Sequence, residues 1–244
     1  MAEIITSDLQ ELCTFWRKAV TPFVTLIVQA AKTDRERALP VASGIFVRSQ
    51  KKRYLLTAHH VTRQNLADDP AERVGALYYA ELSEFSELGG SCQYLEDPYD
   101  LNMTEISIGG RFLRLPVDLA LDVRDGERCL MYGFPARSKS WKIERWGRGE
   151  FALGSRPFSC IGTIYKASPL SFTIRVSLKQ ISFQRKKLQR IGKLNGISGG
   201  GVFVIRNDAP KLAGVMIECI RNRAELVCTN SRLVLEMARK IGSL

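Results

Sequence analysis

The feature that most constrains the fold is a succession of short apolar runs, rich in β-branched and aromatic residues and closed by Gly, Pro or polar breaks. VTLIVQAA (24–31), SGIFVR (43–48) and RYLLTA (53–58) come first. RFLRLPV, RCLMYGF, GTIYKA, FTIRVS, GVFVI, LAGVMIE and AELVCTN follow. Runs of this length suit strands joined by hairpins, because branched and aromatic side chains pack well on a pleated surface. About ten such strands with little helix between them predict an all-β sandwich or barrel architecture. Two helices frame them. Ser7 or Asp8 caps a short helix through about Ala19, with Leu9, Leu12, Trp16 and Val20 at helical spacing. SRLVLEMARKI closes the chain with Leu233, Met237 and Ile241 on one face.

With 244 residues and 45% hydrophobic content the chain is long enough to bury a substantial core. The start carries acids before its first base and no long apolar run, which does not read as a secretory signal. Val20 to Ala31 contains Thr and Gln and is too short to span a bilayer as a helix. The expectation is a cytoplasmic protein without a membrane segment. Six cysteines are scattered without a CxxC pair, so neither a metal nor a cofactor is expected, although Cys219 and Cys228 could meet across a hairpin if oxidised.

Charge is unevenly placed. From Phe151 to Asn207 there is no Asp or Glu against ten Lys and Arg, whereas Gln64 to Gly110 holds ten acids against Arg73 alone. Ten clustered bases raise polyanion contact, but the segment lacks a helix-turn-helix pattern, zinc-finger spacing or an RNP-like aromatic strand, so no dedicated nucleic-acid recognition is expected.

Three stretches carry chemistry. LTAHHV (56–61) holds the only two histidines, His59 and His60. NGISGGGVFV (195–204) sets Ser198 in a glycine-rich turn before a β-branched strand. Such a turn exposes a hydroxyl and aims backbone N–H groups at one point, as acyl transfer requires, but a plain hairpin turn has the same composition. PVDLALDV (116–123) sets Asp118 among apolar neighbours, where a buried carboxylate needs a partner such as a histidine N–H; in isolation an exposed strand-end Asp is the better reading.

Taken in order, His, Asp and Ser match one solution to serine nucleophilic catalysis on a two-barrel scaffold. Through SGIFVR, YLLTAHHV, DLAL, GISGGGVF, MYGFPA and LAGVMIE the sequence resembles the trypsin-like, chymotrypsin-fold serine peptidases of compact bacterial type, over roughly Val20 to Asn230. The resemblance implies two six-stranded antiparallel β-barrels within a single peptidase domain. The first would cover about residues 20–125 and the second about 126–230, with the C-terminal helix at 231–242. It implies His60 as base, because LTAHHV aligns with the family's LTAAH and puts His59 at its second alanine. His59 is left as a supporting or surface residue, with His59 as base the runner-up.

The resemblance further implies Asp118 as the orienting acid, Ser198 as nucleophile, and the N–H groups of Gly196 and Ser198 as the oxyanion hole. Gly192, Met216, Ile217 and Glu218 would border the substrate. No cofactor is implied, and the partners would be a peptide or protein substrate and an activating protein if the enzyme is latent. One departure is Gly201, where the family usually has proline, which loosens the exit of the turn. A second is the acid-free segment before Ser198, which does not support a trypsin-like preference for Lys or Arg. A positive rim favours acidic peptides, while Glu218 argues the other way. The competing expectation is a catalytically inactive protease fold that serves as a binding or sensing module.

Overall fold

The computed structural model describes residues 2–31, 34–49, 52–63, 76–81, 84–107, 110–135, 157–176, 197–220 and 225–241. Helix α1 (Ala2–Val20) begins earlier than the Ser7 or Asp8 cap expected of it, and it buries Trp16 and Val20 against the body. Strands β1 (Val24–Ala31), β2 (Asp34–Arg48) and β3 (Arg53–Ala58) follow, then a five-residue helix α2 (His59–Arg63). The first half continues with β4 (Ala76–Glu81), β5 (Glu84–Glu87), β6 (Cys92–Leu95), β7 (Leu101–Ile106) and the two-residue β8 (Leu113–Arg114). The second half holds β9 (Arg128–Gly133), β10 (Phe158–Tyr165), β11 (Ser171–Arg175), β12 (Gly201–Arg206), β13 (Ala209–Ile220) and β14 (Glu225–Asn230). Helix α3 (Ser231–Lys240) closes the chain, capped by the Asn230 side chain, which accepts from Arg232 N at 3.0 Å.

The architecture is all-β in two halves, as expected of the chymotrypsin-like fold, but the halves differ. The six strands of the second close into a barrel in the order β10-β11-β14-β13-β12-β9. The first is an eight-stranded sheet in the order β5-β4-β1-β2-β3-β7-β6, with β8 alongside β2 in parallel. Among the described residues no ladder joins its β5 and β6 edges, so this half is seen as an eight-stranded sheet beside the closed barrel, consistent with the two-barrel fold. Strand β2 pairs with β1 over one part and β3 over another. Its register slips between Ile27 and Val28, where Val28 faces Pro40, because proline offers no N–H to the ladder.

Strands β3 and β9 are buried from their second residue onward, so each is covered on both faces and reads as a continuous apolar run. One apolar cluster joins α1, both halves and α3 through Trp16, Leu56, Leu130, Phe203 and Met237. A second fills the barrel around Met131, Phe172 and Val202. The halves are also stitched by backbone. Ala120 N donates to Leu212 O and Leu212 N to Asp118 O, each at 2.8 Å, and Ser231 Oγ donates to Ala120 O. None of the six cysteines forms a disulfide, and the β13–β14 register sets Cys219 opposite Leu226 and Cys228 opposite Met216, so the two do not face each other. No helix among the described residues is long and apolar enough to cross a membrane.

Candidate active site

The two histidines stand where β3 runs into α2, and one residue, Asp100, holds both, His59 through its backbone carbonyl and His60 through its carboxylate. Asp100 lies at the end of a turn in which Tyr99 N and Asp100 N donate to Glu96 O at 2.9 and 3.1 Å. Its φ of 44° is the left-handed region, which Asp tolerates better than most residues. That conformation turns its carbonyl and its carboxylate together onto the first turn of α2. Asp100 O accepts from His59 N at 2.9 Å, Oδ1 accepts from His60 N at 2.7 Å, and Oδ2 meets His60 Nδ1 at 2.5 Å. The His60 side chain is 52% exposed while that of Asp100 is 13% exposed, so the imidazole is open to an incoming molecule and its carboxylate is sheltered. The barrel supports this turn, since Thr229 Oγ1 in β14 donates to Tyr99 O.

The carboxylate bonded to His60 is that of Asp100, whereas Asp118, expected from the sequence to orient the histidine, is engaged elsewhere. Asp118 accepts from Arg114 N at 2.8 Å and Arg114 Nε at 3.2 Å, and from Lys211 Nζ at 3.2 Å. Burial raises its carboxyl pKa, but these hydrogen bonds and the adjacent cations outweigh burial and hold it below the ordinary aspartate value. It ties the β8 segment to β13 and is not bonded to a histidine.

His59 is buried and not at the surface, with its ring stacked on Tyr94 at 4.4 Å and 6°. Burial pushes its pKa down, opposed by the charges of Asp100 and Glu96. Its ring belongs to the packing beneath the site, and the imidazole bonded to the acid is that of His60.

Ser198 lies in a tight turn, Ile197 to Gly200, in which Gly200 N donates to Ile197 O at 2.9 Å. Ser43, in β2, makes three bonds, one of which ties the turn to the first half. Its N donates to Ser198 O at 2.9 Å, its O accepts from Thr57 Oγ1 at 2.8 Å, and its Oγ accepts from Phe134 N at 2.7 Å. Gly199 is required there: φ is +81°, and a Cβ would stand 2.1 Å from Ser43 O and 2.3 Å from Thr57 Oγ1. Thr57 is in the strand that ends at the histidines, so the serine turn is seated against the strand that delivers His60. The Ser198 hydroxyl itself donates to Ile217 O at 3.3 Å.

The backbone N–H groups of Gly199 and Gly200 are occupied, the first by Met216 O at 2.8 Å. Of the oxyanion donors and substrate-lining residues expected, Gly196 and Gly192 lie outside the described residues. Met216 is fully buried with its N and O both bonded to the serine turn, so it holds the turn instead of lining an open surface. Ile217 offers its carbonyl at the serine, and Glu218 is exposed beside a bulge in β13. Gly201 does not loosen the exit. It starts β12, paired with Tyr132 and Val215, and a Cβ there would come within 2.4 Å of the Phe203 ring. Among the described residues no cluster of His, Cys, Asp or Glu is suited to a metal ion.

Sequence reasoning missed Asp100, Ser43 and Thr57. Asp100 left a signal in YDLNMTEI, an Asp directly before an apolar-polar alternation, but it sits within the acidic stretch and was not separated from it.

No protein-family profile matches the chain, and no curated protein does. Solved structures match it over most of its length. The MamO protease domain from Magnetospirillum magneticum shares 12% identity at a TM-score of 0.54, covering 89% of this chain and 96% of that one. A serine endoprotease from Yersinia pestis shares 16% at 0.57, covering 94% of this chain and 66% of the other. Catalytically active tobacco etch virus protease, complexed with product, shares 12% at 0.54, covering 91% and 80%. At these identities the likeness shows the fold, and the fold is that of the trypsin-like peptidases.

Proposed function

We propose that this peptidase fold carries a serine endopeptidase, with His60 as general base, Asp100 as its orienting acid and Ser198 as nucleophile. The single observation that supports this most is the 2.5 Å contact of Asp100 Oδ2 with His60 Nδ1, made while Asp100 Oδ1 also holds the His60 backbone. A carboxylate on Nδ1 keeps the ring proton there and leaves Nε2 free to accept. For reaction the Ser198 hydroxyl leaves Ile217 O and turns to Nε2. As Oγ attacks a peptide carbonyl its proton passes to His60, and the imidazolium, stabilised by Asp100, returns it to the departing amine. Water then takes the place of serine on the acyl-enzyme, with His60 removing its proton. The oxyanion is met by the N–H groups of Ser198 and Gly196, a contribution of roughly 3 kcal/mol per donor. Ile217 O, released by the hydroxyl, is available to an N–H of the substrate.

The hydroxyl bonded to Ile217 O describes a resting enzyme, which supports the expectation of latency relieved by a partner. It also gives the competing reading, a binding module of the same fold, its only specific support. Labelling with a fluorophosphonate probe separates them. Reaction that requires Ser198 and His60 and survives His59→Phe establishes the nucleophile and its base. Failure of the folded chain to label, alone and with cell extract, leaves the binding module.

A further inference from the structure

A second site lies away from the histidines, at the seam between the halves. The cavity, of about 470 Å³, falls within the roughly 300–1,000 Å³ of small-ligand pockets. His60, Asp100 and Ser198 are not among the residues that line it. Its wall mixes apolar and charged groups: Phe23 after α1, Phe112 before β8 and Pro210 in β13 stand beside the guanidinium groups of Arg48, Arg111 and Arg114. Asp118 is the only carboxylate of the lining among the described residues, and it is already engaged by Arg114 and by Lys211. Arg48 and Arg111 are exposed and have no carboxylate partner among the described residues.

We propose that this cavity binds an acidic peptide segment, taking an apolar side chain against Phe23 and Phe112 and a neighbouring carboxylate on the forks of Arg48 and Arg111. The charge balance selects an anion, because the local acid is outnumbered and already paired. Guanidinium groups match a planar carboxylate with two parallel hydrogen bonds, and an aromatic wall stabilises the adjoining apolar group. The Phe23 and Phe112 rings beside the arginines offer an apolar side chain a surface that a nucleic-acid backbone, which binds along basic tracks, would leave unused. An occupant here touches β2 and β8 of the sheet and the β12–β13 hairpin of the barrel, next to the ion pairs through which Asp118 joins the two. The site does not depend on the hydrolytic reading.

The test is fluorescence anisotropy with the fluorescein-labelled peptide Gly-Asp-Phe-Glu-Gly, using the full chain bearing Ser198→Ala so that the probe stays intact. Saturable binding is expected. Arg48→Ala with Arg111→Ala should weaken it roughly tenfold or more, since each lost charged hydrogen bond counts for that much. The paired change of both arginines to Lys, which keeps charge and fold but removes the forks, should give an intermediate loss. A control pair on the barrel, Arg128→Ala with Lys166→Ala, should leave the affinity within twofold. The proposal is overturned by absence of saturable binding, by equal weakening in the control pair, or by a single-stranded oligo-dT of equal charge displacing the peptide at the same concentration as unlabelled peptide.

Discussion

Exchanging Asp100 for asparagine isolates the feature on which the catalytic assignment rests. The change preserves volume and leaves the turn from Glu96 intact, because the backbone bonds to Glu96 O and from His59 N do not involve the side chain. What changes is the donor and acceptor pattern at two short contacts, 2.7 Å from Oδ1 to His60 N and 2.5 Å from Oδ2 to His60 Nδ1. The backbone N–H is a fixed donor, so the amide must turn its oxygen to it and its NH2 group to the ring. Nδ1 must then accept, which moves the ring proton to Nε2, the atom that has to receive the serine proton. In triads of this kind the wrong tautomer lowers kcat by about 10⁴-fold, or on the order of 5 kcal/mol of transition-state stabilisation. Asp118→Asn, at a carboxylate engaged by Arg114 and Lys211, should change reactivity by less than about threefold while lowering stability by roughly 1–3 kcal/mol through the weakened charged hydrogen bonds. The assay is the second-order rate of fluorophosphonate labelling at pH 7.5, with thermal unfolding run beside it. Retention of labelling within tenfold by Asp100→Asn, or an equal collapse in Asp118→Asn, would refute the assignment.

Gly199→Ala should destabilise by on the order of 3 kcal/mol or unfold the serine turn, since strain at positive φ adds to the overlap with Ser43 O; the melting temperature reads it directly. Gly201→Pro should lower stability, because it removes a ladder N–H and meets the Phe203 ring; urea midpoints decide the sign. His59 has a pKa below its ordinary 6.5, so its contribution to stability is complete above that value and is lost as pH falls through the folded one. Chemical denaturation at pH 7.5 and pH 5 should therefore show an acid loss of stability that His59→Phe, which keeps the stack on Tyr94, reduces. An unchanged acid loss in that variant would mean that other groups carry it.

Much of the fold was legible because its strands are apolar on both faces. VTLIVQAA is β1 residue for residue and RYLLTA is β3. The strands that escaped notice, β4 to β7, come from the acidic stretch, where outward acids and short lengths dilute the pattern; CQYL has no buried residue at all. That is also why Asp100 was not singled out as the carboxylate beside His60. Asp118 stands in a clear apolar alternation, but its charge is matched by Arg114 four residues upstream, a pairing visible in RFLRLPVD. Asp100 comes beside His60 only when β7 pairs with β3, so that Leu101 lies across from Ala58. His60 and Ser198 were readable because each is embedded in its own local motif. Their common support, Ser43, is an ordinary serine in a strand with no signal of its own.

The three bonds of Ser43 reach the serine turn, the strand before the histidines and the first barrel strand. Separation of the halves therefore parts the serine turn from the strand before the histidines as it opens the apolar cluster they share. The reactivity of Ser198 would then behave as an all-or-none gauge of the joined molecule: a nicked, half-folded or domain-exchanged chain would fall silent, and a partially assembled one would not cleave indiscriminately.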